Sequence, residues 1–273
     1  MNRNFLRFLG LGLALVVLTN ASAQADFVCG AWNLESGDSD EQFLAKQIRQ
    51  WPEVAIWGFS EVRDGRVLET LGAGLNDSSP NAQFMGILGT TGNADRLGIV
   101  FASSIFDCQG SWELDEINVG GTVRAPLVAL MRERATGKDF LFVVNHFYRG
   151  KSFDEPRREQ QSLLLSRWAA DQDRPVIAVG DFNFDCDVDH MGQCNRSFNV
   201  LLENGVFKWA VPKNPMRTQC NRRYNSILDF VFVTGQAKSW LDESWILNTG
   251  QAACEDDAQK TDHRPVIANF NTE

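Results

Sequence analysis

The chain has 273 residues, of which 44% are hydrophobic and 22% charged. That composition excludes a disordered tail, a collagen-like array and a small disulfide knot, and the length is enough to bury one large core. The formal net charge of −9 excludes a nucleic-acid binder that works through its overall charge. Any polyanion partner has to be met by local positive potential or by a bound cation.

Arg3 and Arg7 precede an apolar run from Phe8 to Leu18, which is shorter than the roughly 20 residues of a membrane span. Small residues follow, with Ala21-Ser22-Ala23 and Ala23-Gln24-Ala25 as cleavage sites. This is the layout of a secretory signal over residues 1–25, cut after Ala25; an uncleaved anchor is the weaker alternative. Residues 26–273 then form one secreted or periplasmic domain without stable membrane association. All six cysteines (Cys29, Cys108, Cys186, Cys194, Cys220 and Cys254) lie in that part. An even number in an exported chain points to disulfides, and the absence of a Cys-x-x-Cys pair argues against a thiolate metal site. Cys186–Cys194 and Cys186–Cys220 are both open pairings.

Along the mature chain, Phe27–Trp32, Val54–Phe59, Leu97–Phe101, Phe140–Val144, Pro175–Val179, Ile227–Val233 and Pro265–Phe270 are short runs rich in Val, Ile and Phe. Runs of this length suit strands covered on both faces. A helix is predicted over Glu41–Trp51, opened by Ser39 with Gln42 three residues later, and another over Pro156–Ala170 with proline in its first turn. No linker or internal repeat interrupts this pattern. It predicts an α/β sandwich with sheets inside and helices outside.

Four of these runs end in polar residues: at Asn33, at Ser60-Glu61, at Asn145-His146 and at Asp181-Phe182-Asn183. If the strands share a direction, these groups gather along one rim, where open α/β folds bind ligands. Asp181 and Asn183, two apart, face one side of an extended chain. Asp229 sits within the apolar strand Ser226–Val233, where a carboxylate is costly unless paired. Of the three histidines, His190 lies in an acidic loop and reads as a surface residue, which leaves His146 and His263. Asp262 and His263 reach one site only from an irregular segment, and Thr261–Arg264 before Pro265 supplies one. Arg149, Lys151, Arg157 and Arg158 follow His146, and Lys213, Arg217, Arg222 and Arg223 precede Asp229. They make a positive cleft if both loops border the rim, and solvated loops otherwise.

With these residues assembled, the chain resembles the endonuclease/exonuclease/phosphatase superfamily, and within it the pancreatic-type deoxyribonucleases. The motifs are Trp32-Asn33, Ser60-Glu61-Val62, Asn145-His146, Gly180-Asp181-Phe182-Asn183, Ser226-Ile227-Leu228-Asp229 and Thr261-Asp262-His263-Arg264-Pro265, in order. Glu61-Val62-Arg63-Asp64 is similar to a segment with a metal-binding glutamate and a minor-groove arginine, and Arg124-Ala125-Pro126 to a phosphate-contacting one. The resemblance implies a four-layer α/β sandwich, two mixed sheets face to face with helices outside. It also implies a glutamate from an earlier strand as partner for the first histidine; Phe84–Gly89, the corresponding stretch, contains no acid and no tyrosine. The connection from Cys220 to Asp229 is longer than the family pattern.

The chemistry expected is phosphodiester hydrolysis. Glu61 and Asp262, with Asn33, offer hard oxygen ligands for Mg²⁺ or Mn²⁺, with Ca²⁺ a further candidate. His146, Asp181, Asn183, Asp229 and His263 form the catalytic set, and Arg63, Arg124, Arg149 and Asn33 meet the substrate. The expected activity is that of a monomeric, secreted endonuclease on DNA, with RNA second. The competing readings are a lipid or inositol phosphate phosphoesterase, for which Trp240 and Trp245 are the only aromatic loop candidates, and a silent binding module.

Overall fold

The computed structural model describes residues 26–150, 154–191, 193–221, 223–248 and 260–273. The signal segment, Lys151, Arg222 and Cys254 lie outside the described residues. In chain order the first elements are β1 (Asp26–Asn33), α1 (Glu41–Ile48), β2 (Val54–Val62), α2 (Gly65–Ser78), β3 (Phe84–Leu88), β4 (Arg96–Ala102), β5 (Phe106–Glu113) and β6 (Leu127–Glu133). They are followed by β7 (Asp139–His146), α3 (Glu155–Ala170), β8 (Val176–Asp187), α4 (Arg196–Leu202), β9 (Lys208–Trp209), β10 (Ser226–Val233), α5 (Ala237–Trp240), β11 (Leu241–Ile246) and β12 (Val266–Asn271). Every apolar run singled out in the sequence is a strand. The cap of α1 differs from expectation: the Asp40 carboxylate, one residue nearer the helix than Ser39, accepts the Gln42 and Phe43 N–H groups. An ionised cap also suits the positive end of the helix dipole.

The strands make two six-stranded sheets, ordered β11-β12-β1-β2-β4-β3 and β5-β6-β7-β8-β10-β9. Each holds one parallel pair, β1 with β2 and β7 with β8, joined by α1 and α3 respectively; the remaining pairs are antiparallel. The sheets pack face to face over a core in which Phe27 contacts Phe106, Phe140 and Phe270 at 5.1–5.4 Å between ring centroids. A second buried cluster joins Leu44 and Ile48 of α1 and Val67 and Leu71 of α2 to Trp57 of β2. Leu165 and Ala169 of α3 and Phe198 and Leu201 of α4 are buried against the main core. The molecule is therefore the expected α/β sandwich.

Cys186 and Cys194 are joined, which excludes the Cys186–Cys220 alternative; Cys220 is itself disulfide-bonded. Cys29 and Cys108 are free thiols. No helix among the described residues is long and apolar enough to cross a membrane.

Two glycines set how closely the chain can approach itself near the strand ends. A Cβ on Gly58 of β2 would lie 2.6 Å from a Val179 methyl and 2.7 Å from one of Val144, so the two sheets meet there backbone to side chain. Gly180 has φ +128°, and a Cβ there would lie 2.1 Å from the Asn145 carbonyl oxygen of the adjoining strand. Gly180→Ala is therefore expected to lower stability by about 2 kcal/mol or more. Gly110→Ala, at a position with nothing within 4 Å of the added carbon, should stay within about 0.5 kcal/mol. Urea denaturation of the two variants beside the parent checks both values.

Candidate active site

The ends of β1, β2 and β7 meet the middle of β8 where the two sheets abut. Asn33 closes β1, and its side-chain nitrogen donates to Glu61 Oε1 at 3.0 Å within its own sheet and to Asp181 Oδ2 at 3.1 Å in the other. Glu61 occupies an irregularity of β2 between Phe59 and Val62, with φ +56°. Asn183 has φ +51°, so the stretch after Asp181 is not extended as predicted: the Asn183 N–H folds back onto Asp181 Oδ1 at 2.9 Å, and its side-chain nitrogen donates to the Phe147 carbonyl at 3.1 Å. Both residues still line the same cleft. Left-handed backbone at two non-glycine residues costs energy, and it turns both side chains toward that cleft.

His263 comes from the irregular segment before β12, which is pinned to β1. The Trp32 indole donates to the His263 carbonyl at 3.0 Å, the Thr261 hydroxyl donates to the Asn33 carbonyl at 2.6 Å, and the His263 N–H donates to the Thr261 hydroxyl at 3.1 Å. The buried Asp229 carboxylate holds His263 Nδ1 at 2.7 Å, the pairing the sequence called for. Nε2 is left facing Asp181 Oδ2 at 3.8 Å and Asp262 Oδ1 at 3.6 Å. Burial disfavours a charged imidazole here, but the Asp229 charge and hydrogen bond, helped by Asp181 and Asp262, outweigh it and raise the His263 pKa well above its ordinary value.

His146 is its opposite. It is fully buried, and its Nε2 faces the same Asp181 oxygen at 3.5 Å and Glu61 Oε1 at 3.8 Å. Burial and then the neighbouring Arg124 charge push its pKa down to about 3, against the pull of Asp181 and Glu61. One carboxylate oxygen is thus approached by a neutral and a charged imidazole. Asp181 itself, enclosed with them, has its carboxyl raised by burial.

A third acid stands behind His146. Asp95, just before β4, lies 3.6 Å from Nδ1 and accepts a 2.6 Å ion pair from Arg124. No glutamate meets His146 Nδ1 among the described residues; the acid beside it is Asp95, beyond the stretch from Phe84 to Gly89. Glu35 was also absent from the expected set. Its N–H donates to Asn33 Oδ1 at 3.1 Å, and its Oε2 accepts the Asp262 N–H at 3.1 Å. Burial and then the charges of Asp262 and Glu61 raise its carboxyl to about 7.

Glu35, Glu61 and Asp262 face one another with no Lys or Arg ion pair to any of them among the described residues. Such mutual repulsion is what a bound divalent cation relieves, and the hard oxygens suit one. Two histidine–carboxylate groups, Glu61-Asp95-His146 and Asp181-Asp229-His263, also bring their ligand atoms within 4.8 Å of one another. The residues present fit the divalent ion implied by the fold.

The family pattern described as Endonuclease/Exonuclease/phosphatase matches residues 30–247. The chain belongs to this family. No curated protein matches it. Among solved structures, it is similar to an endonuclease/exonuclease/phosphatase from Bacteroides vulgatus, with 21% identity, a TM-score of 0.67 and coverage of 91% of this chain and 99% of that one. D. rerio TDP2 complexed with single strand DNA product matches at 15% identity and TM-score 0.68, over 90% and 99% of the two chains. The Bacteroides thetaiotaomicron mannosyl-6-phosphatase matches at 18% and 0.60, over 89% and 98%. Identities this low speak to the fold alone. Members of the family are hydrolases acting on phosphoester bonds and generally use divalent metal ions.

Within this family's frame, Asn33, Glu61, His146, Asp181, Asn183, Asp229, Asp262 and His263 all come together. Asn33 presents its nitrogen to the carboxylates and its oxygen to the Glu35 N–H. Arg149 borders the main cleft of about 630 Å³ and a side pocket of about 210 Å³ that Arg124 also lines. Arg63 is held outside the cleft by Glu41 and Asp64. Of the described basic-loop residues, Arg149 and Arg158 line the main cleft, the buried Arg158 donating to the Tyr148 and Gly150 carbonyls, while Lys213 pairs with Glu243. His190 is exposed beside Asp187, as expected. Asp95→Asn keeps the volume but leaves Arg124 without its counter-charge and His146 without its neighbour. Displacing a reacting group by about 1 Å can cost up to about 100-fold, so phosphoester hydrolysis by this variant should fall between tenfold and that limit. Steady-state kinetics with a parallel thermal melt separates the catalytic loss from unfolding.

Proposed function

We propose that the chain is an exported, divalent-cation-dependent phosphodiesterase that cuts nucleic acid, DNA first and RNA second. The observation that carries this reading is the convergence of His146 Nε2 and His263 Nε2 on one oxygen of Asp181, at 3.5 and 3.8 Å. Glu61 and Asp262, with Glu35 beside them and Asn33 bracing Glu61, would hold Mg²⁺, Mn²⁺ or Ca²⁺. When bound, the ion supplies charge neutralisation at the phosphoryl oxygens.

The protein groups divide the remaining work. Asp181 orients a water and takes its proton as the water oxygen attacks phosphorus in line. The ester P–O bond opposite breaks, and His263, oriented by Asp229, gives its Nε2 proton to the leaving oxygen. Neutral His146 donates a ring N–H to a non-bridging oxygen. Asn183 keeps Asp181 from rotating through its backbone N–H.

Two features favour a diester of nucleic acid over the alternatives. A phosphate monoester carries close to two charges at neutral pH and a diester one, and a cleft crowded with carboxylates disfavours the second charge. The two tryptophans that a lipid surface was expected to meet are not free for it: Trp240 is buried and Trp245 lies under the Lys213 ammonium at 5.6 Å.

Plasmid DNA, RNA, mannose 6-phosphate and sphingomyelin vesicles, each incubated with Mg²⁺, Mn²⁺ or Ca²⁺, test the assignment. Cleavage of nucleic acid that EDTA abolishes is expected, and turnover of only the lipid or the sugar phosphate replaces the reading. His263→Ala and Asp181→Asn should each lower kcat by about 10²- to 10⁴-fold, with secondary structure by circular dichroism unchanged.

A further inference from the structure

The connection from Cys220 to Asp229, longer than the family pattern, builds one wall of the main cleft. Asn221, Tyr224, Ser226 and Leu228 from it face Glu61, Asp181 and His263 across the opening. Tyr224 is 54% exposed, and no ring or cation packs on it among the described residues. The other of the chain's two tyrosines, Tyr148, borders the side pocket, but one face of its ring is already covered by the Arg157 guanidinium at 4.6 Å. An aromatic face left bare at the mouth of a reaction cleft is an expense in water unless a flat apolar partner covers it in use.

The charge around that face restricts the partner. The cleft is lined by Glu35, Glu61, Glu155, Asp181, Asp185 and Asp262, against Arg149 and Arg158. Arg158 is spent on backbone carbonyls, and Asp185 accepts the Ser226 hydroxyl. A duplex is gripped mainly through its closely spaced phosphates, and among the described residues that line the cleft Arg149 and Arg158 are the only Arg or Lys side chains against six acids. The cleft's offering is one stacking face flanked by neutral amides, Asn195 and Gln219. A base can reach such a face only when it is unpaired.

We propose that Tyr224 is a base-stacking platform and that the substrate is single-stranded nucleic acid, the base beside the scissile phosphate lying on its ring. This rests on the phosphodiesterase reading of the site and names its substrate class. The residue binds substrate and takes no part in proton transfer.

The test compares kcat/KM for a labelled single-stranded thymidine oligonucleotide, the same strand built of abasic tetrahydrofuran units, and the thymidine strand annealed to its complement. The parent protein should cut the free strand faster than the duplex. Tyr224→Ala should lower the ratio of thymidine to abasic cleavage about tenfold or more, and Tyr224→Trp, which keeps a stacking face, should retain it. An unchanged ratio in Tyr224→Ala, or a duplex cut as fast as the free strand, overturns the inference while leaving the phosphodiesterase reading intact. Failure to cut any strand with any divalent cation removes the reading and the inference together.

Discussion

The contact between Gly58 and the valines of the opposing sheet decides the geometry of everything above it. With no side chain at that point, β2 lies against Val144 and Val179, the last apolar residues before Asn145-His146 and Gly180-Asp181. Any larger residue wedges the sheets apart at the level where their polar ends begin. The Asn33–Asp181 hydrogen bond spans that junction. It requires the sheets to stay within one amide's reach, and no flexible loop intervenes to absorb a displacement. Because each sheet contributes one parallel pair that runs toward this side, the polar residues that follow four apolar runs are presented together.

Placing so many ionisable groups in one buried volume is unfavourable unless their charges are arranged against one another. The protein arranges them unequally. His263 has a hydrogen-bonded carboxylate beside it that raises its pKa; burial, and then a nearby guanidinium, lower that of His146. Asp95 moderates the second case, since it neutralises Arg124 without reaching hydrogen-bond distance of the ring. Environments that drive two like groups to opposite protonation states are how one site provides a donor and a neutral polar group at the same pH.

Much of this was legible in the amino-acid order because strands buried on both faces write continuous apolar runs, and the residue that ends each run is forced to the rim. Asp229 stood out for the opposite reason, as a charge inside such a run. Where the sequence misled, local signals were competing with tertiary ones. Asp95 sits in a polar loop, Thr90-Thr91-Gly92-Asn93-Ala94-Asp95, whose composition suits any turn; only the approach of Arg124 and His146 gives it a role. Glu35 was passed over for the same reason. α2 was missed because Gly72 and Gly74 weaken its helix pattern, although Asp64 caps it through the Arg66 N–H. The basic loops were weighed as a field, whereas Arg158 and Lys213 are each tied to a specific neighbour, and so is Arg63, expected to meet the substrate.

That last difference bears on selectivity. A cleft lined with cations admits any polyanion and ranks substrates by charge density, which salt screens. Among the described residues lining the cleft the acids outnumber the bases, so on the proposed reading the site without a cation repels a phosphate. Cation binding and substrate binding then become linked through the same carboxylates: an ion that lowers the repulsion between Glu35, Glu61 and Asp262 also lowers it toward a phosphate. Reciprocity follows, since whatever a cation contributes to phosphate affinity a phosphate must return to cation affinity. Discrimination is left to short-range contacts that salt does not screen, among them the shape of the cleft, its amides and the one bare aromatic face among the described residues that line it.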